Sequence, residues 1–281
     1  MASPKYSYTE VIKYWKSLNI KNEEDLRLAL DSYCILFAYN SGAIENDKIT
    51  YHDTREIFKN GQILNYTGEL RTLFEISNQK TCYEYLLSKI IRKEPITETL
   101  IKKVHELLTN GTYDERRYNI NKERPGEYKK HDYITGMNEV GSSVQKVKED
   151  IEHLINEITT SEKNKNDENI LITVAFLHNV LEEIHPFADG NGRVGRTLMN
   201  YYLMMHGLPP IIIYNEDKKY YYAALEKFDE KDDLSSTIEF FKYEMEKTWE
   251  KTLDRINNVI KEPSSLAAYI ENDDESHHDD K

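Results

Sequence analysis

Apolar residues return every three or four positions along most of the chain, the spacing that lines one face of an α-helix. In "NEEDLRLALDSYCILFAY" they fall at Leu26, Leu30, Tyr33, Ile35 and Phe37, which predicts one helix. Leu70, Phe74 and Ile76, then Tyr83, Leu86, Leu87, Ile90 and Ile91, predict one long helix or two abutting ones. Pro95 stops that run, because its ring cannot continue a helix. Thr97 can cap the next helix, "ETLIKKVHELLT", which Gly111 ends. Helical patterning resumes from about Gly141 to Ile158 and is followed by the polar connector "SEKNKNDEN". Val174, Leu177, Leu181 and Ile184 mark a helix that ends at His185-Pro186. Val194, Leu198, Tyr201 or Tyr202, and Met205 mark another, closed by Gly207 and Pro209, and a last strong helix covers about 235–260.

Residues 112–137 break this rhythm. They hold tyrosines, charged residues, a Pro125-Gly126 turn pair and Gly136, which reads as a long loop with a short hairpin. Loops this long are uncommon in compact domains and are often functional. There is no repeat and no linker-like segment, so the expected fold is all-α, one helical domain with one hairpin.

Charge narrows the function classes. The formal net charge is −13, which disfavours nucleic acid as a partner, since phosphate binding needs a basic face. No window approaches the roughly 18 apolar residues of a membrane span, and "MASPKYSYTE" lacks the charged start and apolar run of a signal peptide. Cys34 and Cys82 are the two cysteines, and both lie within apolar helical patterns, as buried reduced thiols do. A cytoplasmic, bacterial protein is the expectation, with delivery into another cell left open. The end of the chain, "ENDDESHHDD", reads as a solvated acidic tail and not a metal site.

The chemistry concentrates in "HPFADGNGRVGR", His185 to Arg196. Pro186 turns the chain, and Gly190 and Gly192 permit backbone geometries that other residues resist. With Asn191 between them, successive N–H groups can face one concavity, an anion nest. The next helix starts at about Arg193 and adds its free N–H donors and positive dipole end. Arg193 and Arg196 are three apart and share a face, and two guanidinium groups beside a nest suit a di- or triphosphate. Asp189 would repel such an anion unless a cation such as Mg2+ lay between them. His185, with an intrinsic pKa of ~6.5, can take a proton from an incoming hydroxyl. Together these residues point to nucleotide-dependent group transfer.

Two plainer readings compete. A Gly-Asn-Gly turn between helices is often only a turn. His178, Glu182 and His185 also lie four and three apart on one helix face, the geometry of a zinc hydrolase. That series lacks the His-Glu-x-x-His order, and His178 reads better as a structural residue under the loop.

The stretch resembles the signature of the Fic family, His-Pro-Phe-x-Asp/Glu-Gly-Asn-Gly-Arg-x-x-Arg, at every fixed position, and the likeness extends over roughly residues 95–245, including "YYYAALEKFD". The resemblance implies an all-α Fic-type helical core with a short β-hairpin flap and N-terminal helices packed on it. It divides the chain into an N-terminal helical region at 1–94, a Fic core at 95–262 and an acidic, disordered tail at 263–281. It implies transfer of AMP from ATP to a Ser, Thr or Tyr hydroxyl of a protein target, self-modification included. His185 would be the base, Phe187 a buried anchor and Asp189 the Mg2+ ligand. Gly190, Asn191 and Gly192 would form the anion hole, Arg193 would contact the phosphates, and Arg196 the γ-phosphate. "GEYKKHDYI" resembles the family's flap, in which Tyr128, Lys129, Tyr133 and Ile134 would dock the target backbone by strand addition. Lys129 stands where the family commonly has Arg.

A second motif lies upstream. "SGAIEN", Ser41 to Asn46, resembles the family's inhibitory helix motif, Ser/Thr-x-x-x-Glu-Gly/Asn. Ser41 can cap a short helix at about 41–46, with Glu45 one turn on. By this resemblance Glu45 would pair with Arg196 and exclude the productive γ-phosphate pose. In some relatives the same glutamate orients a water that removes AMP. A non-catalytic nucleotide-binding regulator, a Fic transferase using another nucleotide donor, and a homo-oligomer all stay open.

Overall fold

A computed structural model of the chain describes residues 4–133, 141–161 and 166–259. Helices α1 (Tyr8–Ser17), α2 (Glu23–Ala29), α3 (Asp31–Ala43), α4 (Tyr51–Asn60) and α5 (Leu70–Ile91) precede the region of the twelve-residue motif. Then follow α6 (Glu98–Thr109), α7 (Val147–Ser161), α8 (Asp167–Ile184), α9 (Asn191–Met205), α10 (Lys218–Lys231) and α11 (Ser235–Val259). Side-chain caps open several of them. Ser7 and Glu10 form a reciprocal capping box on α1, and Thr50, Thr97 and Asn166 each accept a first-turn N–H.

Sequence periodicity places most helices; the structure differs in two details and settles one alternative. The run predicted as one helix from Leu26 to Phe37 is broken at Leu30, whose backbone (φ −102°, ψ 4°) leaves helical geometry. The break keeps Leu26, Leu30 and Tyr33 in the same core. The run from Leu70 to Ile91 is a single helix. The long loop carries a π-helical turn at Arg116–Ile120, and no strand occurs among the described residues. Part of the expected hairpin, residues 134–140, lies outside the described residues, as does the tail.

Helix α9 is the centre of the molecule. It packs against α8, α6, α5 and α3. Val194, Leu198, Met199 and Leu203 are fully buried, and so is Arg196 at 1% exposure. A helix buried on all sides belongs to a core, and burying each Leu there contributes roughly 1.5–3 kcal/mol. The N-terminal end of α9 therefore faces helices from both halves of the chain, with α3 and α5 coming from the first ninety residues. Helix α11 closes the opposite side: the Trp249 ring meets Trp15 edge-on at 5.2 Å, and its indole N–H donates to the Pro210 carbonyl at 2.8 Å.

Trp249→Phe keeps most of the packing and orphans the Pro210 carbonyl. We expect a loss of about 1–3 kcal/mol in urea unfolding, and an unchanged midpoint would show that this contact does not hold α11.

Candidate active site

Helix α8 ends at His185, which adopts left-handed geometry (φ 48°, ψ 60°) and so turns the chain before Pro186. Two backbone segments brace this turn. The Lys129 N–H donates to the Pro186 carbonyl at 2.9 Å, and the Ser142 N–H to the Ile184 carbonyl at 3.0 Å. Gly141, just before Ser142, has φ +61°; a Cβ there would lie 2.7 Å from His185 Cβ. Burial, and then the nearby Lys129 ammonium, hold the His185 imidazole below its ordinary 6.5, so the ring is neutral near pH 7.

Phe187 is fully buried and stacks on His105, with ring centroids 3.7 Å apart. His105 Nδ1 accepts the Gly126 N–H at 2.8 Å, which leaves the proton on Nε2, 3.1 Å from the Asp189 carbonyl that it reaches as donor. Burial pushes this histidine down to about 3, so it stays neutral. The Asn191 side chain closes the turn, accepting the Phe187 N–H at 2.9 Å and donating to the Phe187 carbonyl at 2.8 Å. The Asn191 side chain is committed to the loop, which leaves its main-chain N–H for the expected anion hole.

That start is open. Gly190 is the N-cap (φ 84°), and no side chain caps α9. Its first-turn N–H groups and dipole thus remain available to an anion. A Cβ on Gly190 would lie 2.7 Å from Thr109 Cγ2. Asp189 borders this end. Its Oδ1 accepts the Gly190 N–H at 2.8 Å, and its Oδ2 pairs with Arg71 at 2.9 Å, with Arg117 at 3.9 Å. Burial opposes its charge, but the Arg193, Arg117 and Arg71 guanidiniums outweigh that and hold the carboxyl below its usual range. No cluster of three or more His, Cys, Asp or Glu able to hold a metal occurs among the described residues. One ionised carboxylate beside an open helix N-terminus fits Mg2+, which commonly takes one or two protein carboxylates and completes its shell with phosphate oxygens and water.

The two arginines have separate partners. Arg193 lies 3.5 Å from Asp189 Oδ1 and 3.4 Å from Glu75 Oε1. Arg196 donates from Nε to Ser41 Oγ at 3.0 Å, and from Nη2 to the Ser41 carbonyl at 2.9 Å and to Glu45 Oε1 at 2.8 Å. Ser41 does not cap a short helix as its motif suggested. The apolar run of α3 carries the helix through Ala43, so Ser41 lies in its last turn and Glu45 just beyond. Arg196 therefore meets a helix C-terminus, where unpaired carbonyls and the negative dipole end favour a cation. Gly192 makes the approach possible, since a Cβ there would lie 2.5 Å from Glu45 Oε1. Burial works against the charge on Glu45, but Arg196 holds its carboxyl below the usual range. Arg196 Nη1 and Arg193 Nε and Nη1 are buried without hydrogen-bond acceptors, the last lying only at ion-pair distance from Glu75. Such orphan donors are unusual and suit a site that takes an anion.

The zinc arrangement does not form. His178 is fully buried, with Nε2 2.9 Å from the Tyr221 hydroxyl. Of the flap residues, Tyr128 packs 5.7 Å from Phe187, and Lys129 is buried. The Tyr133 hydroxyl donates to Glu123 Oε1 at 2.9 Å. Glu123, buried at 1% exposure, also accepts the Lys130 N–H, and so draws this segment inward instead of leaving a strand edge. Ile134 lies outside the described residues.

Sequence patterning does not single out Arg71, Glu75 or His105. Arg71 and Glu75 look like an ordinary helical i, i+4 pair. His105 left a usable signal: it occupies a core-facing position four after Ile101 and three before Leu108.

Residues 95–203 match the sequence model of the Fic/DOC family. Among curated proteins, the chain is 25% identical to protein adenylyltransferase Fic of Drosophila virilis over 85% of this chain and 46% of that protein. It is 31% identical to the Nematostella vectensis protein of the same name over 66% of this chain and 41% of that one. The chain thus spans less than half the length of these relatives. In fold it is similar to a Fic domain containing signaling protein from Bacteroides thetaiotaomicron, with a TM-score of 0.72, 23% identity, and coverage of 86% of this chain and 93% of that one. A Fic-1 segment from C. elegans gives 0.68 at 20% identity, covering 90% and 73%.

Asn191→Ala removes both bonds to the Phe187 backbone. We expect a stability loss of about 1–3 kcal/mol for each buried group left unpaired, read by urea unfolding. A loss below about 0.5 kcal/mol, the range of neutral surface changes, would show that the loop closes without this side chain.

Proposed function

From the Fic/DOC family domain that this chain carries over residues 95–203, we propose that the protein is an autoinhibited adenylyltransferase that transfers AMP from ATP to a hydroxyl side chain of a protein target. The observation that carries this reading is a neutral histidine, an ionised acid and an open helix N-terminus within twelve residues, with the last arginine of the twelve already held by a carboxylate from α3. The curated relatives bear the name protein adenylyltransferase. Two buried, free cysteines, whose thiols burial pushes up to about 11 and about 12, accord with work in a reducing cytoplasm. No described helix is long and apolar enough to cross a membrane.

In the reaction, neutral His185 takes the proton of the target hydroxyl as its oxygen attacks the α-phosphorus. A bond forms between that oxygen and phosphorus, and the bond from phosphorus to the α,β-bridging oxygen breaks, so pyrophosphate leaves with its electron pair. Mg2+ held by Asp189 would offset charge on the α- and β-phosphates. The first-turn N–H groups of α9 and Arg193 receive the remaining phosphate charge. Arg196 receives the γ-phosphate. Because Glu45 occupies Arg196 in this structure, Glu45 and the γ-phosphate compete for one guanidinium, and a nucleotide bound without that contact is misaligned for attack.

Glu45→Gly should raise labelling by α-labelled ATP about 5–150-fold, the usual range of coupling between competing states. Adding His185→Ala should lower it about 10²–10⁴-fold. Labelling at the parent level in Glu45→Gly would remove autoinhibition from the account, and full labelling without His185 would remove the mechanism. The base must be neutral and its pKa lies below 6.5. The acid limb of the Glu45→Gly rate profile should therefore fall below pH 6.5, and a limb above that value would assign it to another group.

A further inference from the structure

Four charged side chains close a ring at the mouth of the site. Arg71 Nε lies 3.1 Å from Glu75 Oε1, and Arg71 Nη2 lies 2.9 Å from Asp189 Oδ2. Asp189 Oδ1 lies 3.5 Å from Arg193 Nη2, and Arg193 Nη1 returns to Glu75 Oε1 at 3.4 Å. Acid and base alternate around the ring, and the four charges sum to zero. Two members belong to the motif and two to α5, a helix outside the matched family region.

The ring has a fixed side. Glu75 is 3% exposed and receives the Asn46 amide on its other oxygen at 2.8 Å. Its carboxylate is thus anchored between Asn46, Arg71 and Arg193. Arg71 spans from that anchor to Asp189 with one planar guanidinium, Nε on one acid and Nη2 on the other. A planar fork held at one end presents its other end in a set direction, which a lysine cannot do. Oδ2 of Asp189 is gripped by Arg71 while Oδ1 is turned to the Gly190 N–H, so the plane of the carboxylate is fixed at both oxygens.

A carboxylate that ligates a metal needs such a partner. Outer hydrogen bonds orient the ligand, and their loss typically weakens metal affinity about 10–100-fold. We propose that Arg71 is a positioning residue for the metal-bound nucleotide: anchored on Glu75, it sets the orientation of the Asp189 carboxylate, and the same Glu75 sets Arg193. This rests on the adenylyltransferase reading and extends its machinery to α5. Arg71 touches neither the target nor the reacting phosphorus, and acts through Asp189. Asn46 follows Glu45 directly, so one short segment carries both the residue that holds Arg196 and the residue that holds the ring's anchor.

The test uses the full chain and Mn2+ as the probe, with free Mn2+ read by electron paramagnetic resonance at saturating ADP, where no transfer takes place. The parent, Arg71→Met, Arg71→Lys and Asp189→Ala are compared, and ADP affinity is measured separately in EDTA. Arg71→Met keeps the packing of a half-exposed stem, so the fold should hold, which thermal unfolding checks. We expect Arg71→Met to weaken Mn2+ binding at least about tenfold, Arg71→Lys to recover part of it, and ADP affinity in EDTA to change less than about threefold. Unchanged Mn2+ affinity in Arg71→Met, with loss in Asp189→Ala, would overturn the positioning role alone. Tighter Mn2+ binding would also overturn it, since Arg71 would then be a cation standing in the metal's place. Failure of the parent to bind Mn2+ with ADP would overturn both this role and the adenylyltransferase reading beneath it.

Discussion

A guanidinium buried in the centre of a helical protein must have an anion, and Arg196 is such a group. It lies at 1% exposure on a helix surrounded on every side, and leaving such a charge unpaired costs about 3–5 kcal/mol. The fold answers with the C-terminus of α3: a hydroxyl, a carbonyl and the Glu45 carboxylate. The same guanidinium lies on the helix whose N-terminus no side chain caps, the end that the proposed function gives to phosphate. Packing of α3 on α9 and the proposed restraint on catalysis are therefore one interaction. On the proposed function, a substrate that supplies its own anion would replace Glu45, and the neighbouring Asn46 bonds Glu75, the anchor of Arg71 and Arg193.

The rest of the site is stiff by comparison. The motif loop is tied by its own Asn191, stacked through Phe187 on His105, whose Nδ1 accepts the Gly126 N–H of the long loop, and joined to that loop by the Lys129 N–H on the Pro186 carbonyl. These bonds are to main chain and fix where His185 and Asp189 stand. Under the proposed function, a preorganised loop beside a replaceable counter-ion would give a switch in which only the partner of Arg196 has to change.

Much of this was legible in the sequence, and the limits are instructive. Periodicity located α5, α6, α8, α9 and α11, because each buries an apolar stripe. It missed the break at Leu30, where the apolar pattern runs through a kink that only packing reveals. The motif located His185, Asp189, Arg193 and Arg196, because glycine geometry and charge are concentrated in twelve adjacent positions. It gives no sign that the Asn191 side chain holds the loop, since the nest uses only main-chain N–H groups. Residue type makes Ser41 an N-cap candidate, while the apolar residues before it carry α3 past it. Arg71 and Glu75 are invisible because their partners in the motif lie more than a hundred residues away, and an Arg-x-x-x-Glu pair on a helix is commonplace.

The central claim is that Glu45 and the γ-phosphate share Arg196. It is tested most directly by calorimetric titration of ATP and ADP, with Mg2+, into the parent and into Glu45→Gly. In the parent the γ-phosphate finds Arg196 occupied, so the two nucleotides should bind with affinities within about threefold of each other. In Glu45→Gly, ATP should gain on ADP by about tenfold or more, which is 1.4 kcal/mol or more. The same ratio of ATP to ADP affinity in both proteins would contradict the account.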